Sequence, residues 1–331
     1  MKRNYAFVGL GILVLIMSVL ASLAFGSRMV PLKEVLDSLF FGDFESFSGV
    51  VVRERLPRTV FGLAAGASLA VSGTLMQAVT RNPIADPSIL GINTGASLFV
   101  VLGMSFLSMD RLEHYIWMAL AGAFITAFFV YSVGSMGYGG MTPIKLALAG
   151  AATSAALSSL VSAVILPRTE VLNAFRFWQV GSIGGATWAS LKMIGPFLLA
   201  GLVLAFILLP ALDLLSLGEE MATGLGGNPA VIRILGSISA VLLCGAVTAA
   251  AGPIGFVGIM VPHLLKLLWG PNLKMILPMS VLYGGSMLLA ADVIGRLLGS
   301  PSELESGIVT AFLGAPVLIY VAMKAKGKGL S

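Results

Sequence analysis

The chain has 331 residues, of which 57% are hydrophobic and only 11% charged, and its mean hydropathy is +0.99. A soluble domain carries roughly a quarter charged residues, so this composition excludes a soluble enzyme and implies an all-α integral membrane protein, a single transmembrane domain over residues 1–331. The formal charge is +5, but the basic residues are scattered one or two per loop, which excludes a nucleic-acid partner and leaves membrane lipid as the surrounding one.

Ten hydrophobic segments are expected, near 7–25, 57–79, 89–107, 115–134, 143–166, 192–212, 231–251, 253–269, 276–297 and 306–323. The first could be mistaken for a secretion signal. No small-residue cleavage site stands out and many apolar segments follow, so it reads as a retained helix. The second lies between Arg55-Leu56-Pro57-Arg58 and Arg81-Asn82-Pro83-Ile84-Ala85-Asp86-Pro87, with no charge from Thr59 to Thr80. A bilayer crossing needs about 20 apolar residues. Arg55 and Arg58, three apart, share one face of that helix mouth. Such a pair can grip something anionic at the membrane surface.

The fifth segment carries Thr153, Ser154, Ser158, Ser159 and Ser162. Hydroxyls at this spacing either line a polar path or bond across helices. After the sixth segment comes a loop over about 213–230. Ser216 and Glu219 have the spacing of a capping box, Gly226 and Gly227 would stop a short helix, and Asn228-Pro229 would start the next one. A short exposed amphipathic helix suits docking of a soluble partner; a solvated connector is the plain alternative. Ala251-Gly252-Pro253 forces a sharp turn or break between segments seven and eight. Asp292 and Arg296 are spaced for an i, i+4 ion pair, and Glu303 and Glu305 fall on the same side of the membrane.

Lys2 and Arg3 precede the first segment, and Lys324, Lys326 and Lys328 follow the last. Lys/Arg-rich ends read as cytoplasmic, which an even number of crossings satisfies. The opposite loops then hold Arg28, Lys33, Arg53, Arg55, Arg58, Arg111, Arg168, Arg176 and Arg296. No topological rule asks for that excess of outer arginine, which therefore hints at function.

Much chemistry is missing. No GxxxxGK[ST] loop occurs to cradle ATP phosphates. His114 and His263 lie far apart with no Cys nearby, so no metal site is expected; His263 reads as structural. Cys244 sits in an apolar run as a small core residue. No convergent His/Asp/Glu set suggests a catalytic residue. An ion-driven secondary transporter would need intramembrane carboxylates as relays, whereas Asp86, Asp213 and Asp292 all fall at expected helix ends.

Several separated motifs, each weak alone, occur in an order that is specific. They are Arg55-Leu-Pro-Arg58; Ala70-Val-Ser-Gly73 with Gln77; Arg81 to Pro87; Leu90-Gly91 with Gly95-Ala96; Trp178-Gln-Val-Gly-Ser182 with Trp188; Leu217-Gly-Glu-Glu220 with Leu225-Gly226; Gly252-Pro-Ile-Gly-Phe-Val-Gly258 with Val261-Pro-His263; Ala291-Asp292 with Arg296; and Gly307-Ile-Val-Thr310 with Gly314-Ala-Pro316. With them the chain resembles, over nearly its whole length, the FecCD/BtuC-like permeases of type II ABC importers, which carry ferric siderophores, haem or cobalamin. The resemblance implies the BtuC-like fold of ten transmembrane helices, in a bacterial plasma (inner) membrane. It implies a second permease subunit, identical or paralogous, two ABC ATPase subunits inside and a substrate-binding protein outside. ATP and Mg2+ would belong to the ATPases, and this chain would be a pore subunit without its own ATPase site or cofactor. Arg55, Arg58 and Arg296 fall where the family meets acidic residues of the binding protein. Leu217, Gly218, Glu219, Glu220, Leu225 and Gly226 fall on the family's coupling helix. The fifth and tenth helices flank the family's central path, where Thr153, Ser158, Thr310 and Pro316 are candidates. A ferric siderophore outranks haem and cobalamin because siderophore systems dominate the family.

Overall fold

A computed structural model describes residues 2–42, 44–107, 109, 112–136 and 142–326. Arg111 and Lys328, used above for orientation, lie outside the described residues. In chain order the helices are α1 (Lys2–Ala24), α2 (Leu32–Phe41), α3 (Phe47–Thr80), a 3₁₀ turn (Pro87–Leu90), α4 (Ile92–Phe106), α5 (Leu112–Ser135), α6 (Pro143–Ile165), α7 (Thr169–Val180), α8 (Trp188–Ser216), α9 (Glu219–Gly224), α10 (Pro229–Ala251), α11 (Val257–Trp269), α12 (Leu273–Leu298) and α13 (Ser306–Lys326). No strand occurs among the described residues.

Each of the ten hydrophobic segments falls on a helix. Among the described residues seven helices are long and apolar enough to cross a membrane: α1, α3, α5, α6, α8, α10 and α12. The other three, α4, α11 and the apolar part of α13, are shorter. Two further helices, α2 and α7, were not foreseen.

The fold is organised around α3. Its 34 residues span about 51 Å, more than the ~30 Å hydrocarbon core. It starts ten residues before the expected segment because Ser46 caps it, Oγ accepting from the amide of Gly49 at 3.1 Å. From Thr59 onward α3 is almost wholly buried against α8, α10, α11 and α12. Small residues permit this. A Cβ at Gly66 would overlap the carbonyl of Gly284 on α12, and one at Gly73 would overlap the backbone of Gly258 on α11. Close backbone approach is how membrane helices gain packing contacts where lipid is as apolar as the side chains. Buried hydroxyls lock the bundle further: Ser72 donates to Ala240 O at 2.7 Å and Thr74 pairs with Ser280 at 2.9 Å.

The break after α10 is present. Gly252 takes φ 73°, and a Cβ there would overlap the carbonyl of Trp178. The backbone of residues 181–182 rests on this turn, with the amide of Ser182 donating to Ala251 O at 2.8 Å. The unexpected α7 therefore returns its C-terminus to the α10–α11 break. Asn228 and Pro229 start α10 as expected, the Asn228 carboxamide accepting from the amides of Ala230 and Val231 at 3.1 and 3.3 Å. The capping-box reading of Ser216 is overturned. Ser216 is the last residue of α8, its hydroxyl donating to Asp213 O at 2.6 Å, and α9 begins after Gly218 without a side-chain cap. The apolar run of α8 simply outlasts the polar signal, and Gly218 at φ 116° makes the turn.

Candidate functional site

Three elements meet where α1 ends, α3 begins and α12 ends. Here Arg55, Arg58 and Arg296 gather around a cleft of 350 Å³, lined also by Arg28, Glu54 and Glu303. The last carbonyls of α1 have no partner inside their own helix, and two of the arginines supply one. Arg55 donates from Nη1 to the carbonyls of Leu23 and Ala24 at 2.7 and 3.1 Å, and from Nη2 to Arg28 O at 2.5 Å. Arg296 donates from Nη1 to the carbonyls of Ser22 and Phe25 at 3.1 and 2.7 Å, and from Nη2 to Ser22 Oγ at 3.2 Å. A cation at a helix C-terminus also meets the negative end of the helix dipole.

Asp292 is the hub. Its side chain is fully buried. It accepts from Arg58 Nε at 3.1 and 3.2 Å and from Nη2 at 2.8 Å. Its other oxygen pairs with Arg296 Nε at 3.0 Å, so the i, i+4 pair expected from sequence is present. Arg58 makes a further ion pair, Nη1 to Glu303 Oε2 at 2.7 Å. Arg58 is 12% exposed and Arg296 only 2%. Arg296 is the buried anchor at the cleft wall, while Arg55 and Arg58 are its more accessible arginines.

The opposite end is built differently. Arg58 and Arg81 stand about 34 Å apart along α3. At the Arg81 end a cleft of 500 Å³ is lined by Arg81, Leu217, Gly218, Glu219, Glu220 and Met221. Arg81 sits in the left-handed region at φ 52° and closes α3, its amide donating to Ala78 O at 3.3 Å. The short α9 buries Ala222 and exposes Glu220 and Met221, and the flanking Leu217, Leu225 and Gly226 are exposed as well. Glu219 forms an ion pair with Arg233 of α10, which is 8% exposed. The amides of Gly226 and Gly227 donate to Thr223 O and Ala222 O and end the helix.

The path candidates divide. Ser158 of α6 and Pro316 of α13 are exposed and Thr153 is half-buried. Thr310 is buried and its hydroxyl donates to Gly307 O at 3.0 Å, so here it faces no open space. Along α6 only Leu146, Gly150 and Val161 are buried, which leaves a long face rich in small residues unpartnered among the described residues. Of its hydroxyls, Ser154 accepts from Thr94 of α4 at 3.2 Å and acts across helices, while Ser159 and Ser162 bond back to the carbonyls four residues earlier.

The profile of the FecCD transport family matches residues 14–324. This chain belongs to the FecCD transport family. It is 41% identical to the ferric enterobactin transport system permease protein FepD of Escherichia coli (strain K12), over 98% of this chain and 97% of that one. It is 42% identical to the Fe(3+)-citrate import system permease protein YfmD of Bacillus subtilis (strain 168), over 92% and 90%. A solved ABC transporter assigned to the metal-chelate type, in an inward-facing conformation, superposes with a TM-score of 0.81 at 28% identity, covering 98% of this chain and 99% of that one.

In this FecCD chain sequence reasoning missed two partners of the arginines, Ser22 and Glu303. Ser22 accepts from Arg296, and Glu303 had been seen as an acid on the right side without a role. The signal for Glu303 was its position one short loop after Arg296. For Ser22 there was none, since it lies 274 residues away from its partner. Among the described residues no group of three or more His, Cys, Asp or Glu side chains could hold a metal ion.

Proposed function

We propose that this chain is the membrane permease subunit of an ABC importer for an iron chelate, a ferric siderophore, in the bacterial inner membrane. The observation that carries this reading is the match over nearly the whole chain to permeases of iron-chelate import systems. In this reading α4, α11 and α13 also cross the bilayer, which makes ten crossings and puts both termini on the Glu219 side, the cytoplasm. The arginine end then receives an extracytoplasmic binding protein through its acidic residues. Complementary charge steers such encounters and sets their register. The Glu219 end, Leu217 to Gly226, receives an ABC ATPase, which alone holds ATP and Mg2+.

The exposed faces of α6 and α13 support a second permease subunit, a copy or a paralogue, across which Thr153, Ser158, Thr310 and Pro316 line the path. Thr310 requires α13 to rotate before it can do so. A loaded binding protein docks, ATP closes the ATPase pair, and α9 carries that motion into α8 and α10, which it joins. Helix packing then switches and the path opens to one side at a time. The walls need no tight ligand set, because the binding protein selects the cargo.

The test is uptake of radiolabelled iron, supplied as a panel of ferric siderophores and as haem, in cells lacking this chain. Loss of uptake of one ferric siderophore, restored by the chain only together with its ATPase, is the expected result. Normal uptake of every ferric siderophore, with loss of haem uptake, would overturn the cargo, and normal uptake of every iron chelate would move cobalamin to the front. Restoration without any ATPase would overturn the importer class.

A further inference from the structure

We infer that Glu303 is a resident stand-in for the binding protein's carboxylate, and that docking exchanges one ion pair on Arg58 for another. This rests on the docking role proposed for the arginine end and adds how that end is regulated.

Arg58 offers two edges to an anion. The edge made by Nε and Nη2 is taken by Asp292 in a bidentate pair. That carboxylate cannot leave. It is fully buried and also neutralises Arg296, so its departure would strand two guanidinium groups at a helix junction, and breaking a buried pair is strongly unfavourable. The remaining contact, Nη1 to Glu303 at 2.7 Å, is of another kind. Glu303 is 41% exposed and sits in the loop between α12 and α13, away from regular structure. An exposed ion pair of this sort contributes little, about 0–1 kcal/mol, and a freed Glu303 returns to water. Among the described residues, Glu303 is therefore the one carboxylate that can yield Arg58 to a newcomer.

Charge counting points the same way. Arg28, Arg55, Arg58 and Arg296 stand around the cleft with Glu54 and Glu303, and Asp292 lies behind it. The undocked cleft is close to balanced. Every other arginine contact recorded there goes to a backbone carbonyl, to the Ser22 hydroxyl, to the face of Phe47 or to Asp292. A visiting carboxylate that displaces Glu303 gains a charge-assisted hydrogen bond already shaped for an oxygen. The protein loses only the weak contact. Docking on these terms stays reversible, as it must if an empty binding protein is to be exchanged for a loaded one.

The experiment uses the complete transporter in nanodiscs, with the binding protein that supports uptake in the cellular assay. Docking affinity is measured as a function of salt for the wild type, E303Q, R58Q and R58Q/E303Q. E303Q should tighten docking about two- to fivefold, the size of the exposed ion pair that no longer has to be broken. It should also steepen the salt dependence, since the cleft gains one net positive charge; a merely structural role for Glu303 would not do that. R58Q should weaken docking, and E303Q should give no gain in the R58Q background. Unchanged or weaker docking by E303Q, with R58Q defective, overturns the exchange and leaves the docking role standing. Wild-type docking by R58Q overturns the docking role itself.

Discussion

The two ends of α3 present opposite chemistry. At the arginine end Arg55, Arg58 and Arg296 already have partners inside the chain: α1 carbonyls for Arg55 and Arg296, carboxylates for Arg58 and Arg296. At the Glu219 end the chain shows exposed Leu217, Met221 and Leu225 around a six-residue helix held by one buried alanine and one ion pair. Charge sets encounter rate and register and is screened by salt. Apolar area at the centre of a patch contributes more to lasting contact. In the proposed reading the arginine end is a surface for a visiting partner and the Glu219 end one for a resident partner. It predicts that high salt strips the binding protein from the complex and leaves the ATPase attached.

The largest effect should come from removing the anchor of the arginine end. Arg296→Met keeps much of the volume but leaves Asp292 with one cation and frees the carbonyls of Ser22 and Phe25. Both charges of the pair are buried, and breaking such a pair costs about 3–5 kcal/mol. Thermal unfolding of the purified chain in detergent should show a large drop in Tm. A Tm close to wild type would mean that Arg296 is not the structural member of the trio. Reversing all three arginines to Glu should abolish uptake, but that loss would mix misfolding with lost docking, because Arg58 and Arg296 both hold the buried Asp292; Arg55→Gln, which breaks no ion pair among the described residues, is the cleaner probe of function.

The next effect lies at the other end and should leave stability alone. Leu217, Met221 and Leu225 are each about 60% exposed, so changing all three to Ser removes little that the isolated chain buries. Retention of the ATPase in a pull-down should fall about tenfold or more, the equivalent of about 1.4 kcal/mol, at unchanged Tm. Full retention would remove α9 from the coupling role.

How much of this could be read from the sequence differs between the same two ends. The transmembrane helices were legible because apolar runs of bilayer length announce themselves, and so was the start of α10, where Asn228 and Pro229 act locally. The amphipathic α2 was missed because Lys33, Glu34 and Asp37 interrupt its ten residues, although its inner face buries Val35. The outer arginines stood out by number, yet their partners lie 234 to 274 residues away for Asp292 and Ser22, and no local pattern records such a contact. Thus the sequence marks Arg55 and Arg296 as docking charges, and only the structure shows that both also finish α1. The Asp292–Arg296 pair was legible because its two members share one helical turn.

The smallest effect separates two neighbouring acids. Glu219 and Glu220 look alike in sequence, and reversing both to Lys should weaken ATPase attachment. The structure splits their roles. Glu219 pairs with Arg233, a residue only 8% exposed, and so ties α9 to α10. Glu220 is exposed and makes no salt bridge among the described residues. A helix of six residues is far too short to hold itself, so the tether matters to α9 more than to the bundle. Glu219→Gln removes the charge but not the size. Because Glu219 is half exposed, the loss of stability should be about 1 kcal/mol. The larger signature should be local, as earlier protease cleavage or faster amide exchange over residues 217–227. Glu220→Gln should change neither. If the two substitutions behave the same, the Arg233 tether carries no weight and α9 is positioned by Ala222 and its flanking glycine turns alone.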